Sequence, residues 1–413
     1  MSCTLGNGLH VAAERMPGTG VFSATLSMAA GSRYETGERS GLASLTAGLL
    51  VEGTEFESGP DFARGVESLG ASLDVTVDYE ACEVTVTGLA ENAGECLRVV
   101  GTVARAPRVR GEELERSRRK QLAEIAEDLD DPFTAARLEF MSLVYGTHPR
   151  GRPVSGRPAT VSKLDLDDVR AFRRAFHVPG ASLLAVAGDV DPERIPPMAE
   201  RAMAAWEGDA PAPAPHPLPA ASGGQRRYVS RDRRQTHVMV GGLGVARSDP
   251  DYLAVSVMDV ILGEGAGFGS RLGRRLREGE GLAYVVESDA VGASGIDHGV
   301  VWVYTATSPG KAGRALDVLR EELELLRRLS PSGDEVARAR SYLRGRRLRA
   351  GESCEERAAR LIRARRYDLG DDYEERYAQA LESVSPDLVR DVAELLLDPA
   401  RHSTVVVGPS RPW

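Results

Sequence analysis

Ser72-Leu73-Asp74-Val75-Thr76-Val77-Asp78-Tyr79 is followed, across Glu80-Ala81, by Cys82-Glu83-Val84-Thr85-Val86-Thr87. Both runs alternate with period two and are rich in β-branched residues, the pattern of neighbouring antiparallel strands, and the short interval predicts a hairpin. A counterpart stands in the second half: Ala283-Tyr284-Val285-Val286-Glu287-Ser288, then Gly299-Val300-Val301-Trp302-Val303-Tyr304-Thr305. Leu183-Leu184-Ala185-Val186-Ala187-Gly188 and Ser403-Thr404-Val405-Val406-Val407-Gly408 read as short buried strands closing each half. Long helical runs such as Glu112 to Glu127 separate the strands. This mixture predicts an α+β fold of two homologous domains, each an antiparallel-rich sheet with helices packed on one face.

The duplication is visible in short matches kept in order. Glu91-Asn92-Ala93-Gly94-Glu95-Cys96-Leu97-Arg98-Val99-Val100 resembles Gly310-Lys311-Ala312-Gly313-Arg314-Ala315-Leu316-Asp317-Val318-Leu319 at an offset of 219. Glu113-Leu114-x-Arg116-x-Arg118 resembles Glu335-Val336-x-Arg338-x-Arg340 at an offset of 222, and Leu42-Ala43 resembles Leu253-Ala254 at 211. Between the halves, Asp209 to Gly224 places Pro211, Pro213, Pro215, Pro217 and Pro219 at alternate positions before Ser222-Gly223-Gly224. Alternating proline stiffens a chain toward an extended form and glycine releases it, so this is read as a linker. The expected domains are 1–208 and 227–413, joined by 209–226.

At 413 residues the chain is long for one core and suits two domains. Its net charge of −9 argues against a general nucleic-acid binder, and the basic run through Arg338, Arg340, Arg344, Arg346, Arg347 and Arg349 reads as a solvated helix face. No segment approaches the roughly 18 uninterrupted apolar residues of a membrane span. The N-terminus lacks the charged start and apolar run of a signal peptide, so the expected location is cytoplasmic. Cys3, Cys82, Cys96 and Cys354 are dispersed with no C-x-x-C pair and are read as reduced thiols.

The order of landmarks along nearly the whole chain resembles the pitrilysin/insulinase family of inverted zincins, to which the mitochondrial-processing-peptidase-like proteins belong. The landmarks are Leu5-Gly6-Asn7-Gly8-Leu9-His10-Val11, Gly31-Ser32-Arg33-Tyr34-Glu35, the helical stretch Gly41 to Thr54, Ser68-Leu69-Gly70-Ala71, Asp131-Pro132, and His148-Pro149-x-Gly151-Arg152-Pro153 with Gly156. Val186-Ala187-Gly188-Asp189-Val190 and Ser270-Arg271-Leu272 follow. Leu276-Arg277-Glu278-Gly279-Glu280-Gly281-Leu282-Ala283-Tyr284 is the most specific, and resembles the family's arginine–tyrosine motif with its pair seven residues apart.

The family's zinc signature, H-x-x-E-H on one helix, supplies two imidazoles one turn apart and a Glu that activates water. The matching positions here are Ser44, Ala47 and Gly48, and Glu124 falls about where the family has its third ligand. Two His ligands on one helix face need i,i+4 spacing. The seven histidines include no two closer than 21 residues, so no such pair exists. Glu124 alone cannot hold zinc, and as a surface carboxylate it needs no function. The expectation is therefore no metal in this chain.

Arg277 and Tyr284 have a chemical reason to persist. Negative charge develops on the carbonyl oxygen during peptide hydrolysis, and a donor fixed there is worth on the order of 3–4 kcal/mol. Arg offers a permanent charge and a forked donor, Tyr a directed O–H. The plainer reading is that Arg277 ends a basic helix and Tyr284 packs in a strand. The glycine-rich run Gly263 to Gly269 lacks the G-K-[ST] of a phosphate loop and reads as a flexible loop. His177, in Phe176-His177-Val178-Pro179-Gly180, reads as a structural histidine.

The resemblance implies the non-catalytic, substrate-binding subunit of a heterodimeric zinc peptidase. A homologous H-x-x-E-H partner would carry the zinc, and an extended peptide would be the substrate, bound by strand addition. Alternatives are a structural assembly protein of the same fold and a stand-alone peptide-binding module.

Overall fold

The structure is a computed structural model describing residues 1–413 except 212–215, 219–222, 265–268, 371 and 413. Much of the expected proline linker and the centre of the glycine-rich run lie outside the described residues. The chain forms two compact units. Unit 1 comprises Met1–Glu127, Arg152–Pro215 and Arg349–Arg366, and unit 2 comprises Asp128–Gly151, His216–Leu348 and Tyr367–Trp413.

Unit 1 is built on six strands: β1 (Ser2–Thr4), β2 (His10–Arg15), β3 (Val21–Met28), β4 (Ser72–Val77), β5 (Cys82–Leu89) and β6 (Ser182–Gly188), in the order β1-β2-β6-β3-β5-β4. The expected hairpin forms between β4 and β5, with Val77 opposite Cys82 and Ser72 opposite Thr87. Its turn is closed by the Asp78 carboxylate, which accepts the N–H groups of Glu80 at 2.6 Å and Ala81 at 2.7 Å. β2 and β6 run parallel, and the other neighbours run antiparallel. Phe22, Ala24, Leu26, Met28, Val84, Val86, Leu184 and Val186 share one core with helices that include Leu42–Leu49 and Ala93–Arg105.

Unit 2 repeats this plan without the extra edge strand. Its strands are β7 (Arg226–Ser230), β8 (Thr236–Leu243), β9 (Val285–Asp289), β10 (Val300–Thr307) and β11 (Ser403–Gly408), in the order β7-β11-β8-β10-β9. β7 and β11 are parallel, as β2 and β6 are, and every other pair is antiparallel. One face, carrying Val238, Val240, Val301, Val303 and Val406, packs with Val255, Leu319 and Val392 of three helices.

The units do not follow the halves of the chain, and the helices are not confined to one face of each sheet. The Pro132–Tyr145 helix, from the first half, belongs to unit 2, and the Cys354–Arg366 helix, from the second half, belongs to unit 1. In unit 2, Phe140, Leu143, Val144 and Tyr145 cover Met239, Trp302, Tyr304, Val405 and Val407. In unit 1, Ala358 and Ile362 meet Ala185 and Ala187, and Arg366 pairs with Glu83 at 2.6 Å. The physical reason lies in the central strands. β8, β10 and β11 are buried, or nearly so, at every position, so their second faces also need a cover.

The four cysteines form no disulfide. Among the described residues no helix is long and apolar enough to cross a membrane.

Candidate functional site

Ser44, Ala47 and Gly48, the positions expected to match the family's zinc signature, lie on the Leu42–Leu49 helix, whose start is held by hydrogen bonds. Gly41 caps it with φ +96°, a conformation that disfavours any side chain. The Glu35 carboxyl accepts the N–H of Gly41 at 3.0 Å and that of Ala43 at 2.6 Å. Gln121 donates its amide to the carbonyls of Gly41 at 3.0 Å and Ser155 at 2.7 Å, and the Arg152 guanidinium donates to the Glu35 carbonyl at 2.9 Å. Burial pushes the Glu35 carboxyl up to about 8, against the opposing pull of the Ala43 and Gly41 N–H groups and the Arg152 charge.

Along this helix Ser44 and Gly48 are partly exposed, whereas Ala47 is buried. A Cβ at Gly48 would stand 3.7 Å from the Ser117 hydroxyl on the Gly111–Asp130 helix. Glu124, two turns further along that helix, is exposed and pairs with Lys120 at 3.8 Å. A hydroxyl, a methyl group and a hydrogen atom stand where metal ligands and a base would be needed, so these positions do not fit zinc. Among the described residues no group of three or more His, Cys, Asp or Glu side chains is placed to hold a metal ion.

The histidines serve other purposes. His237 Nδ1 meets the Tyr304 hydroxyl at 2.6 Å, and His402 Nε2 meets the Leu396 carbonyl at 3.0 Å. His177 is buried with neither ring nitrogen hydrogen-bonded, beside Phe172. Burial, and then the Arg173 charge, pull its pKa down to about 3, so the ring is neutral at ordinary pH.

Arg277 lies in a π-helical turn, Gly273–Gly279, and Tyr284 immediately precedes β9. Between them the chain reverses at Gly281, with φ +57°. Leu282 is buried, and its N–H donates to the Leu276 carbonyl at 2.7 Å. The Tyr284 N–H donates to Ala306 of β10 at 2.9 Å, which clamps the backbone, yet the side chain is 64% exposed. Arg277 is also exposed. The segment that holds the pair is thus pinned by backbone hydrogen bonds while both side chains reach solvent. Packing does not account for Tyr284, because a tyrosine that serves a core is buried. β9 is one of the two edge strands of its sheet among the described residues.

Two features escaped the reading of the sequence. One is the Glu35 cap: the acid stands six residues before the N-cap Gly41, outside the local positions where a capping signal is read. The other is a stack in unit 2: the Arg247 guanidinium lies 3.9 Å from the Tyr252 ring centre and that of Arg347 lies 3.8 Å from Tyr377, with Tyr373 close to both. Its members come from distant parts of the chain, so no local spacing could reveal it.

Known proteins share this fold. Residues 10–156 match the family model described as insulinase (peptidase family M16), and residues 163–343 match the one described as peptidase M16 inactive domain. An uncharacterised zinc protease of Streptomyces coelicolor is 31% identical over 417 residues, covering 98% of this chain and 89% of that protein. An uncharacterised zinc protease of Mycobacterium tuberculosis is 30% identical over 409 residues, covering 98% and 92%. The crystal structure of a peptidase M16 inactive domain from Pseudomonas fluorescens superposes with a TM-score of 0.93 at 25% identity, covering 100% of this chain and 98% of that one.

Proposed function

The chain belongs to the insulinase family, peptidase family M16, and from that premise we propose that it is the non-catalytic, substrate-binding subunit of a two-chain zinc peptidase. The observation that carries the proposal is the contrast between two sites. The helix at the expected metal position is capped by Glu35 but offers no metal ligand, whereas Arg277 and Tyr284 stand exposed on a hydrogen-bonded turn beside a strand that is at the sheet edge among the described residues.

In this reading the metal centre belongs to a homologous partner with an intact H-x-x-E-H. The residues of this chain bind and orient. An extended peptide lies along a strand edge, with backbone hydrogen bonds giving affinity. The Arg277 fork and the Tyr284 O–H donate to the carbonyl oxygen of the bond to be cut, where charge grows as the reaction proceeds. Leader-peptide processing and peptide degradation both suit this chemistry.

The test is to assay hydrolysis of an unfolded peptide by the purified chain alone, and by the chain mixed with a zinc-bearing homologue from the same organism. Activity should require the mixture, and Arg277→Ala or Tyr284→Phe should each lower turnover there by about 10²-fold. Robust chelator-sensitive hydrolysis by the chain alone would overturn the subunit assignment. Unchanged turnover in both variants would remove the role given to the pair. A stable complex containing no zinc-bearing partner would favour an assembly protein instead.

A further inference from the structure

The segment from Thr307, the last residue of β10, to Arg314, in the first turn of the Ala312–Arg328 helix, holds three successive residues of the turn between Arg277 and Tyr284. The buried Thr307 hydroxyl donates to the Leu282 carbonyl. Lys311 Nζ donates to the Gly281 carbonyl at 2.9 Å. The Arg314 fork closes on the Glu280 carboxylate, with Nη2 and Nε at 2.7 and 2.8 Å from its two oxygens. Gly281 lies outside helix and strand, so Lys311 gives its carbonyl the donor that no ladder supplies.

The Arg314–Glu280 pair is one side of a closed ring. Arg314 Nη1 also meets Glu321 at 3.0 Å, and Glu321 pairs with Arg275. Arg275 in turn approaches Glu280 at 3.7 Å and pairs with the buried Glu322 at 2.6 Å. Positive and negative groups thus alternate from Glu280 through Arg314, Glu321 and Arg275 back to Glu280. An isolated surface pair contributes little, but a two-pronged arginine within a network is the exception. Arg275 stands before Arg277, and Glu280 stands between Arg277 and Tyr284. The ring therefore ties the turn to a helix that carries neither member of the pair.

Lys311 and Arg314 are exposed and bury little apolar surface, so core packing does not account for them. Backbone bonds at Leu282 and Tyr284 already fix the path of the chain. The side-chain holds act on what remains, the freedom of the turn to shift as a body. We propose that Lys311 and Arg314 are positioning residues, which keep Arg277 and Tyr284 in register for the carbonyl oxygen of a bound peptide. The proposal rests on the subunit reading above. A donor stabilises a growing charge only if it is in place beforehand, and a displacement of about 1 Å can cost about 10²-fold in rate. Because Arg314 and Glu321 face solvent, salt weakens the ring, and ionic strength acts on the pair through it.

The test has two arms. The first is amide hydrogen exchange in the full chain alone, with Lys311→Met and Arg314→Met beside the unaltered protein. The amides of Leu282, Ala283 and Tyr284 should exchange at least about tenfold faster in each variant, while those of the central strands β8 and β11 keep their rates. Salt at about 1 M should speed the same amides in the unaltered protein and add little in Arg314→Met. The second arm is turnover in the mixture with a zinc-bearing homologue. Arg314→Met should lower kcat at least about tenfold and leave KM within about twofold, the mark of an interaction made in the transition state. Arg314→Lys, which keeps a charged donor without the fork, should recover part of the loss. Unchanged exchange in both variants would overturn the proposal, and so would equal acceleration in β8 and β11, which marks a general loss of stability. Faster exchange with undiminished kcat, where Arg277→Ala and Tyr284→Phe do lower it, would overturn the positioning role. If those two variants leave turnover unchanged, the subunit reading fails by itself, and the exchange arm still decides whether Lys311 and Arg314 hold the turn.

Discussion

Glu35 Oε1 accepts the backbone N–H of Ala43 at 2.6 Å while its Oε2 accepts that of Gly41 at 3.0 Å, so one buried carboxyl holds the first turn of a helix that carries no metal ligand. Those two bonds secure the fold of unit 1 whether or not the helix has any chemistry.

Glu35→Ala should therefore destabilise unit 1. An orphaned buried N–H costs about 1–3 kcal/mol, and this substitution orphans two. The loss should vary with pH. The folded pKa of about 8 lies above the ordinary carboxyl value, so the native state holds its proton longer than the unfolded chain does. The associated stability is complete below the unfolded pKa of about 4.5 and disappears as pH rises through about 8. Urea midpoints at pH 5 and pH 8.5 should show a larger deficit for the variant at pH 5, and an equal deficit at both would contradict this account.

The retained frame should accept its ligands back. Ser44→His combined with Gly48→His sets two imidazoles one turn apart on a helix face. A Cβ at position 48 has only ordinary contact with Ser117, at 3.7 Å, and Glu124 is exposed. The double variant is expected to bind zinc in calorimetry where the unaltered chain does not. Glu124→Ala in that background should weaken binding by at least the roughly tenfold that losing an outer hydrogen bond already costs. Failure of the double variant to take up zinc would show that the two helices no longer hold ligand geometry.

His177 should make the fold acid-sensitive. Its folded pKa of about 3 lies below the unfolded value of 6.5, so the unfolded chain takes up a proton first as pH falls. Its contribution is complete above 6.5 and shrinks toward pH 3, by up to about 1.4 kcal/mol per pH unit for one proton. His177→Phe should flatten denaturant midpoints measured from pH 6.5 to pH 4. An unchanged slope would assign the acid sensitivity to other groups.

The covering helix of unit 1 depends on small side chains. Ala358 is fully buried against Ala185 and Ala187. Ala358→Leu overfills this contact and should cost about 1–3 kcal/mol, read as a lower urea midpoint. A neutral result would mean that the helix is not seated on β6 as described.

What the chain announced locally, it built. The alternation from Ser72 to Thr87 became the β4–β5 hairpin, and the matches at offsets near 220 became two sheets that share the order of five strands. The missing histidines were legible because metal ligation on one helix needs a fixed spacing. Arg277 and Tyr284 were legible as a motif, although only the folded chain shows that the tyrosine is exposed rather than packed.

Tertiary structure alone decided which surfaces are paired. Ala185 and Ala187 alternate with Leu184 and Val186, so β6 is apolar on both faces and its periodicity cannot name either cover. Arg366 reaches Glu83 across 283 residues, and Arg320 meets Thr404 across 84. Periodicity records that a face must leave water, because burial is favourable for any apolar neighbour. Which neighbour arrives depends on shape and charge contributed from elsewhere in the chain, and that is why the exchanged helices and the Glu35 cap emerged only in three dimensions.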